Sequence, residues 1–140
     1  MKTKILLIAL LFAGAVFGQD NSKKADKIKS LKVAFITSEL QLTPEESAKF
    51  WPVYNEFEAR QRDLRKKEFG ARRGKSETIS DKEASAILSQ MEANEEELLK
   101  LRKKLTSDLR QIISPVKILK LKKAEGDFNR KLLKQYRAKR

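Results

Sequence analysis

Neither cysteine nor histidine occurs anywhere in the 140 residues. Without cysteine there is no disulfide to form, no thiolate to attack a substrate or bind zinc, and no acceptor for a lipoprotein anchor at a cleavage point. Without histidine the commonest general base and the commonest transition-metal ligand are both gone. A serine nucleophile would lack its usual base, and no Gly-rich phosphate loop occurs. Past the first residues the one soft ligand is Met91, which falls on an apolar helical stripe where packing is its expected role. Carboxylate groups such as Glu45 with Glu46, or Glu95 to Glu97, sit in charged stretches expected to be solvated, where they would hold at most a hard cation weakly. No catalytic site, metal site or cofactor site is therefore expected.

Proline and glycine are also scarce, at three and five residues. Few places can turn the chain sharply, and charged residues alternate with apolar ones at three- and four-residue steps, so the expected fold is all-α. Four helices are predicted. The first runs from about Lys24 to Leu40 with Ile28, Leu31, Phe35, Ile36 and Leu40 as its apolar stripe. The second starts at Thr43, whose hydroxyl caps it while Pro44 takes the first helical position and Glu46 completes a capping box. It continues to about Phe69 past Pro52, where a bend is expected. Residues 70–79 are expected to form a polar loop. Ser80 and Glu83 cap the third helix, from Asp81 to about Ile113, along which Ala84, Met91, Leu98, Leu105 and Ile112 recur every seven residues. Such a stripe implies a long helix packed lengthwise on a partner. The fourth starts at Ser114 and Pro115, carries Ile118, Leu121, Phe128 and Leu132, and is interrupted in its pattern by Gly126.

At the start, Lys2 and Lys4 precede an apolar run from Ile5 to Phe17, followed at once by polar residues. That layout is expected of a cleaved signal peptide, residues 1–18, too short to span a bilayer stably. The remaining 19–140 are expected to form a single helical domain in the periplasm. Losing Lys2 and Lys4 leaves 30 basic side chains against 19 acidic ones, a net charge of +11. An excess of this size can attract nucleic acid, an anionic membrane surface or acidic polypeptide, and export argues against nucleic acid.

The boundary after the first helix, Leu42-Thr43-Pro44, and that after the third, Ile113-Ser114-Pro115, are both aliphatic, hydroxyl, proline. The same offset of 71 residues sets Glu56 on Asp127, Phe57 on Phe128 and Arg60 on Lys131. Either two related helix pairs or chance agreement of two helix caps accounts for this. The order of signal peptide, helix, Leu42-Thr43-Pro44-Glu45-Glu46, helix, long helix, Ile113-Ser114-Pro115, helix resembles the Spy/CpxP family of periplasmic proteins, with its paired Leu-Thr-x-x-Gln motifs at helix junctions. The stretch from Ala34 to Tyr54, with Phe50-Trp51-Pro52-Val53-Tyr54, looks especially like the Bacteroidetes branch associated with extracytoplasmic sigma factors. Glu46 stands where the motif has glutamine, and the second copy has Lys117 there.

The resemblance implies two hairpins in a curved, elongated form, a homodimer with a basic cradle, and shielding of unfolded clients without ATP. Arg60, Arg62, Arg65, Lys66, Arg72 and Arg73 concentrate positive charge around the end of the second helix, and Lys117, Lys120, Lys122 and Lys123 add more on the fourth. Unless Glu58, Asp63 and Glu68 balance them as a solvated face, these cations are expected to attract unfolded or acidic polypeptides, with Phe50, Trp51 and Tyr54 as apolar client contacts unless packing takes those rings. The expected function is thus that of a chaperone-like stress protein of the periplasm. The alternative is a regulator or sensor of envelope stress acting through a membrane-bound signalling partner.

Overall fold

The structure, a computed structural model, describes residues 16–72 and 79–139. Four helices account for nearly all of them: α1 (Val16–Leu40), α2 (Pro44–Arg72), α3 (Asp81–Arg110) and α4 (Pro115–Ala138). No strand occurs among the described residues. The chain is all-α, with a long third helix packed on the second as a hairpin, and α4 returns onto both α3 and α1. Residues 1–15 of the expected leader, and 73–78 of the expected loop, lie outside the described residues.

The starts of α2, α3 and α4 are fixed by local chemistry. At α2 the Glu46 amide donates to Thr43 Oγ1 at 3.1 Å while the Thr43 amide donates to Glu46 Oε1 at 3.0 Å, a reciprocal capping box. Ser80 and Glu83 repeat the arrangement at α3, with amide contacts of 3.1 and 3.2 Å. Ser114 accepts from the Lys117 amide at 3.3 Å, and Pro115 fills the first helical position of α4. The end of α1 is set by Gln41, whose φ of 48° lies in the left-handed region. There the Leu42 amide reaches back to the Thr37 carbonyl and the Gln41 amide to that of Ser38, the hydrogen-bond pair of a Schellman turn, although glycine is the usual residue at its left-handed position.

Besides α2 running on to Arg72 and α3 ending at Arg110, two helices depart from their expected course. Helix α1 extends upstream of Lys24 to at least Val16, the first described residue, because no glycine or proline between Gln19 and Ile28 stops it. Helix α4 runs unbroken through Gly126, where flanking charged and apolar residues of good helix propensity outweigh one glycine.

The core gathers where the two helix junctions meet. Ile36 and Leu40 of α1, Phe50 and Tyr54 of α2, Leu109 of α3, Ile113 beyond it, and Ile118, Leu121 and Ala124 of α4 form one buried cluster. Away from this junction the α2–α3 hairpin is only two helices thick. Of the recurring stripe in α3, Ala84, Met91, Leu98, Leu105 and Ile112 are all half-buried, and Asn94 is the buried member of that outer part.

The 71-residue offset has a counterpart in space. Lys117 Nζ contacts Glu46 Oε1 at 2.7 Å, and Tyr54 donates to Glu125 Oε1 at 2.6 Å; both pairs are 71 residues apart. Phe50 and Leu121, also 71 apart, share the core. When two units are related by a two-fold axis, residues on the axis meet their own equivalents, and any other contact occurs twice. Exchanging α1 with α3 and α2 with α4 turns the α1·α4 contact into α3·α2, and both are present. These two contacts, unlike the α3·α4 one, follow the symmetry of two related helix pairs. That symmetry also explains the departure at Lys117: in place of a second acidic cap, its ammonium reaches across the axis to Glu46 and to the Gln41 carbonyl at 3.0 Å.

Candidate functional site

Of the three aromatic residues for which client contact and packing are both open in the sequence, Phe50 and Tyr54 sit in the core and Trp51 packs against it. Phe50 is 0% and Tyr54 1% exposed, so neither ring is available to a partner in this fold. Their spacing along α2 turns both toward the junction, where Phe50 stacks on Tyr54 at 5.3 Å and Trp51 meets the two rings edge-on at 4.9 and 5.6 Å. Trp51 itself is half-buried. The packing role is the one the structure assigns.

Around the Tyr54 hydroxyl lies a polar knot from three helices. Its Glu125 acceptor comes from α4, and Lys32 of α1 forms an ion pair with Glu58 of α2 while its ammonium stands 5.4 Å from the Tyr54 ring. Burial, and then the negative charge of Glu125, push the phenol well above its ordinary pKa, so Tyr54 stays a neutral donor. At the junction the Lys117 ammonium, and then the Thr43 amide, hold the Glu46 carboxyl below the usual carboxylate range.

Among the expected cationic contacts, Arg60, Arg62, Arg65 and Lys66 are exposed along α2. Arg60 pairs with Glu56 at 3.1 Å, one turn back. Arg62, Arg65 and Lys66, with Phe69 and Gly70, border a concavity of about 480 Å³. Arg72 is the last residue of α2, and Arg73 lies outside the described residues. Opposite this end of the hairpin runs the acidic half of α3, with Asp81, Glu83, Glu92, Glu95, Glu96 and Glu97. Glu58, Asp63 and Glu68 of α2 itself also offset the basic run, so the hairpin as a whole is balanced.

Counting by packed pair exposes where the excess charge resides. Helices α2 and α3 together carry 13 basic and 13 acidic residues. Helices α1 and α4 carry 13 basic and only five acidic. Within α4 alone the ratio is eight to two, and Lys139 and Arg140 follow it. The net positive charge thus belongs to the α1·α4 side, and Lys117, Lys120, Lys122 and Lys123 are part of it.

That side also displays apolar groups. Along α4, Ile118, Leu121, Ala124 and Phe128 face the core, and Val116, Leu119, Leu133 and Tyr136 are exposed, Leu119 most of all at 69%. Nearby, Lys131 caps the face of the Phe35 ring at 4.6 Å, and that ring packs 5.8 Å from Phe128, tying α1 to α4. The sequence signal for this surface is present in the α4 pattern, but its partner α1 lies some 90 residues earlier in the chain, roughly the whole fold away.

Among the described residues no group of three or more acidic side chains is placed to hold a metal ion, and no helix is long and apolar enough to cross a membrane. Comparison with protein families, with curated proteins and with solved structures finds no match for the chain.

Proposed function

We propose that the protein is a periplasmic, ATP-independent chaperone-like stress protein that holds unfolded, acidic polypeptide on the α1·α4 side. The observation that carries this reading is the segregation of charge: one packed pair of helices is balanced and the other strongly cationic. A one-signed face draws an oppositely charged chain from a distance and raises its rate of encounter. Exposed Val116, Leu119 and Leu133 then offer short-range capture, each contributing on the order of 1 kcal/mol when covered. Such a combination suits clients that differ in sequence and share only charge and exposed apolar side chains. The signal-peptide layout and the Spy/CpxP resemblance support the periplasm as the site of this activity.

Aggregation of an acidic client, followed by light scattering with the purified protein at stoichiometric amounts, tests the reading. Protection is expected at low salt, with capture slowing as added salt shortens the screening length from about 30 Å at 0.01 M to about 8 Å at 0.15 M. No protection at either salt level rejects it and favours a regulator that acts through a membrane-bound partner.

A further inference from the structure

The face of α4 turned away from the core is made of Val116, Leu119, Lys123, Gly126, Arg130 and Leu133, spaced by three and four residues so that they form one stripe. Nothing in the fold demands this composition. The equivalent positions in α2, 71 residues earlier, are Glu45, Ala48, Pro52, Asn55, Ala59 and Arg62, a stripe with no large apolar residue. The repeat supports the inner faces of both helices and leaves this outer face to its own use.

Gly126 marks the middle of the stripe. A Cβ built on it would meet nothing within 4 Å, so no neighbour in the chain requires the glycine. Within a helix it destabilises by about 1 kcal/mol relative to alanine, a cost without an internal return. A bare backbone at the centre of an exposed stripe leaves room for another chain to approach closely.

On either side of the gap stand Lys123 and Arg130, with side chains 76% and 71% exposed. Both are held by one residue: Lys123 Nζ lies 2.7 Å from Asp127 Oδ2, and Arg130 bonds the other oxygen. Asp127 occupies the two cations as a carboxylate of a bound chain would.

We infer that this α4 stripe is the client site, taking an extended segment that has acidic residues between two apolar ones, with Asp127 as the internal group the client displaces. The inference rests on the chaperone-like reading above and names its substrate. Leu119 and Leu133 are fourteen residues apart, about 21 Å along a helix, which an extended chain covers in about six residues. Lys123 and Arg130 lie about 10 Å apart, or about three residues of extended chain. The fitting segment therefore has two acidic residues about three apart, flanked by leucine-sized side chains about six apart.

The probe is a fluorescein-labelled peptide of that pattern, titrated into the full chain and followed by anisotropy. A lysine-for-glutamate peptide and phosphatidylglycerol vesicles serve as comparators. Asp127→Asn is expected to tighten binding of the acidic peptide about three- to ten-fold, the range that about 1 kcal/mol covers. Glu92→Gln, which changes net charge equally on the balanced hairpin, is expected to leave it within two-fold, about the reach of distant screened charge. Gly126→Ala should raise the melting temperature and yet weaken the peptide, a split that a purely structural glycine would not give.

Equal effects of Asp127→Asn and Glu92→Gln, unchanged affinity in Gly126→Ala, or effects on vesicles alone would each overturn the assignment. Client protection measured on the same variants keeps the two readings apart. If the unaltered protein protects and all variants protect equally, the stripe is not the site although the function stands. If it protects nothing, the function fails and the peptide titration still judges the stripe.

Discussion

The α2–α3 hairpin and the α1·α4 pair are equivalent contacts in the repeat, yet they differ in almost everything a partner would meet. The hairpin balances 13 basic residues with 13 acidic ones, while the α1·α4 pair sets 13 against five. Inner faces are alike because they must fill the same junction: Phe50 stands opposite Leu121, and Phe57 is matched by Phe128. Outer faces carry no such constraint, and there the two copies diverge. Packing thus preserved the symmetry of the fold while the surface abandoned it, which is the expected result when one side holds the molecule together and the other does the binding.

The largest effects are expected where the two pairs share their core. Phe50→Ala should cost about 3–5 kcal/mol and its equivalent Leu121→Ala about 2–5 kcal/mol, because each opens a cavity in the same buried cluster. Leu98→Ala, half-buried in the hairpin, should cost less than about 2 kcal/mol. Urea unfolding of the three variants measures this directly. An equal penalty at Leu98 would mean that the hairpin carries as much of the stability as the junction, and the contrast between support and core would fail.

Tyr54→Phe comes next. It removes the hydrogen bond to Glu125 and should cost about 1.5–3 kcal/mol, as expected for a bond to a charged acceptor. The folded protein keeps the phenol protonated far above its ordinary value of 10.0, whereas the unfolded chain ionises near it. The unfolded state therefore releases a proton first, and stability falls as pH rises above about 10 but is untouched by this group below. Chemical denaturation between pH 8 and 11 should show a steeper alkaline loss in the unaltered protein than in Tyr54→Phe. Parallel curves would place the hydroxyl in contact with solvent.

The starts of α2, α3 and α4 were legible because their signals lie within four residues of each other: Thr43 with Glu46, Ser80 with Glu83, Ser114 with Pro115. That α3 packs lengthwise on a partner followed from its seven-residue recurrence; that the partner is α2 is seen in the fold. What local pattern does not encode is which distant faces meet. Phe50 and Tyr54 satisfy a helical stripe whether they line a core or a client groove, and only the arrival of α1 and α4 decides it. Whether the basic run of α2 is a binding surface or a balanced face is undecided locally for the same reason, since the acidic start of α3 is encoded separately from Glu58, Asp63 and Glu68. Lys117 read as a lost cap until the two junctions came together and supplied Glu46 as its partner.

The smallest change expected is also the one that separates the two regions most cleanly. Asn94 occupies a core position of the α3 recurrence, between Ile87 and Leu101, and is only 6% exposed. Its Oδ1 accepts from Gln90 Nε2 at 3.0 Å, but its Nδ2 finds no acceptor among the described residues. A buried donor left without a partner is costly, and a polar residue at such a position fixes helix register at the expense of stability. Asn94→Leu should therefore stabilise the protein by about 1 kcal/mol, read as a higher urea midpoint with unchanged slope. Because the hairpin is balanced in charge and remote from the α4 stripe, client protection should stay the same. A stabilised variant that protects less would show that the hairpin must yield for a client to bind, and the division of labour between the two helix pairs would have to be redrawn.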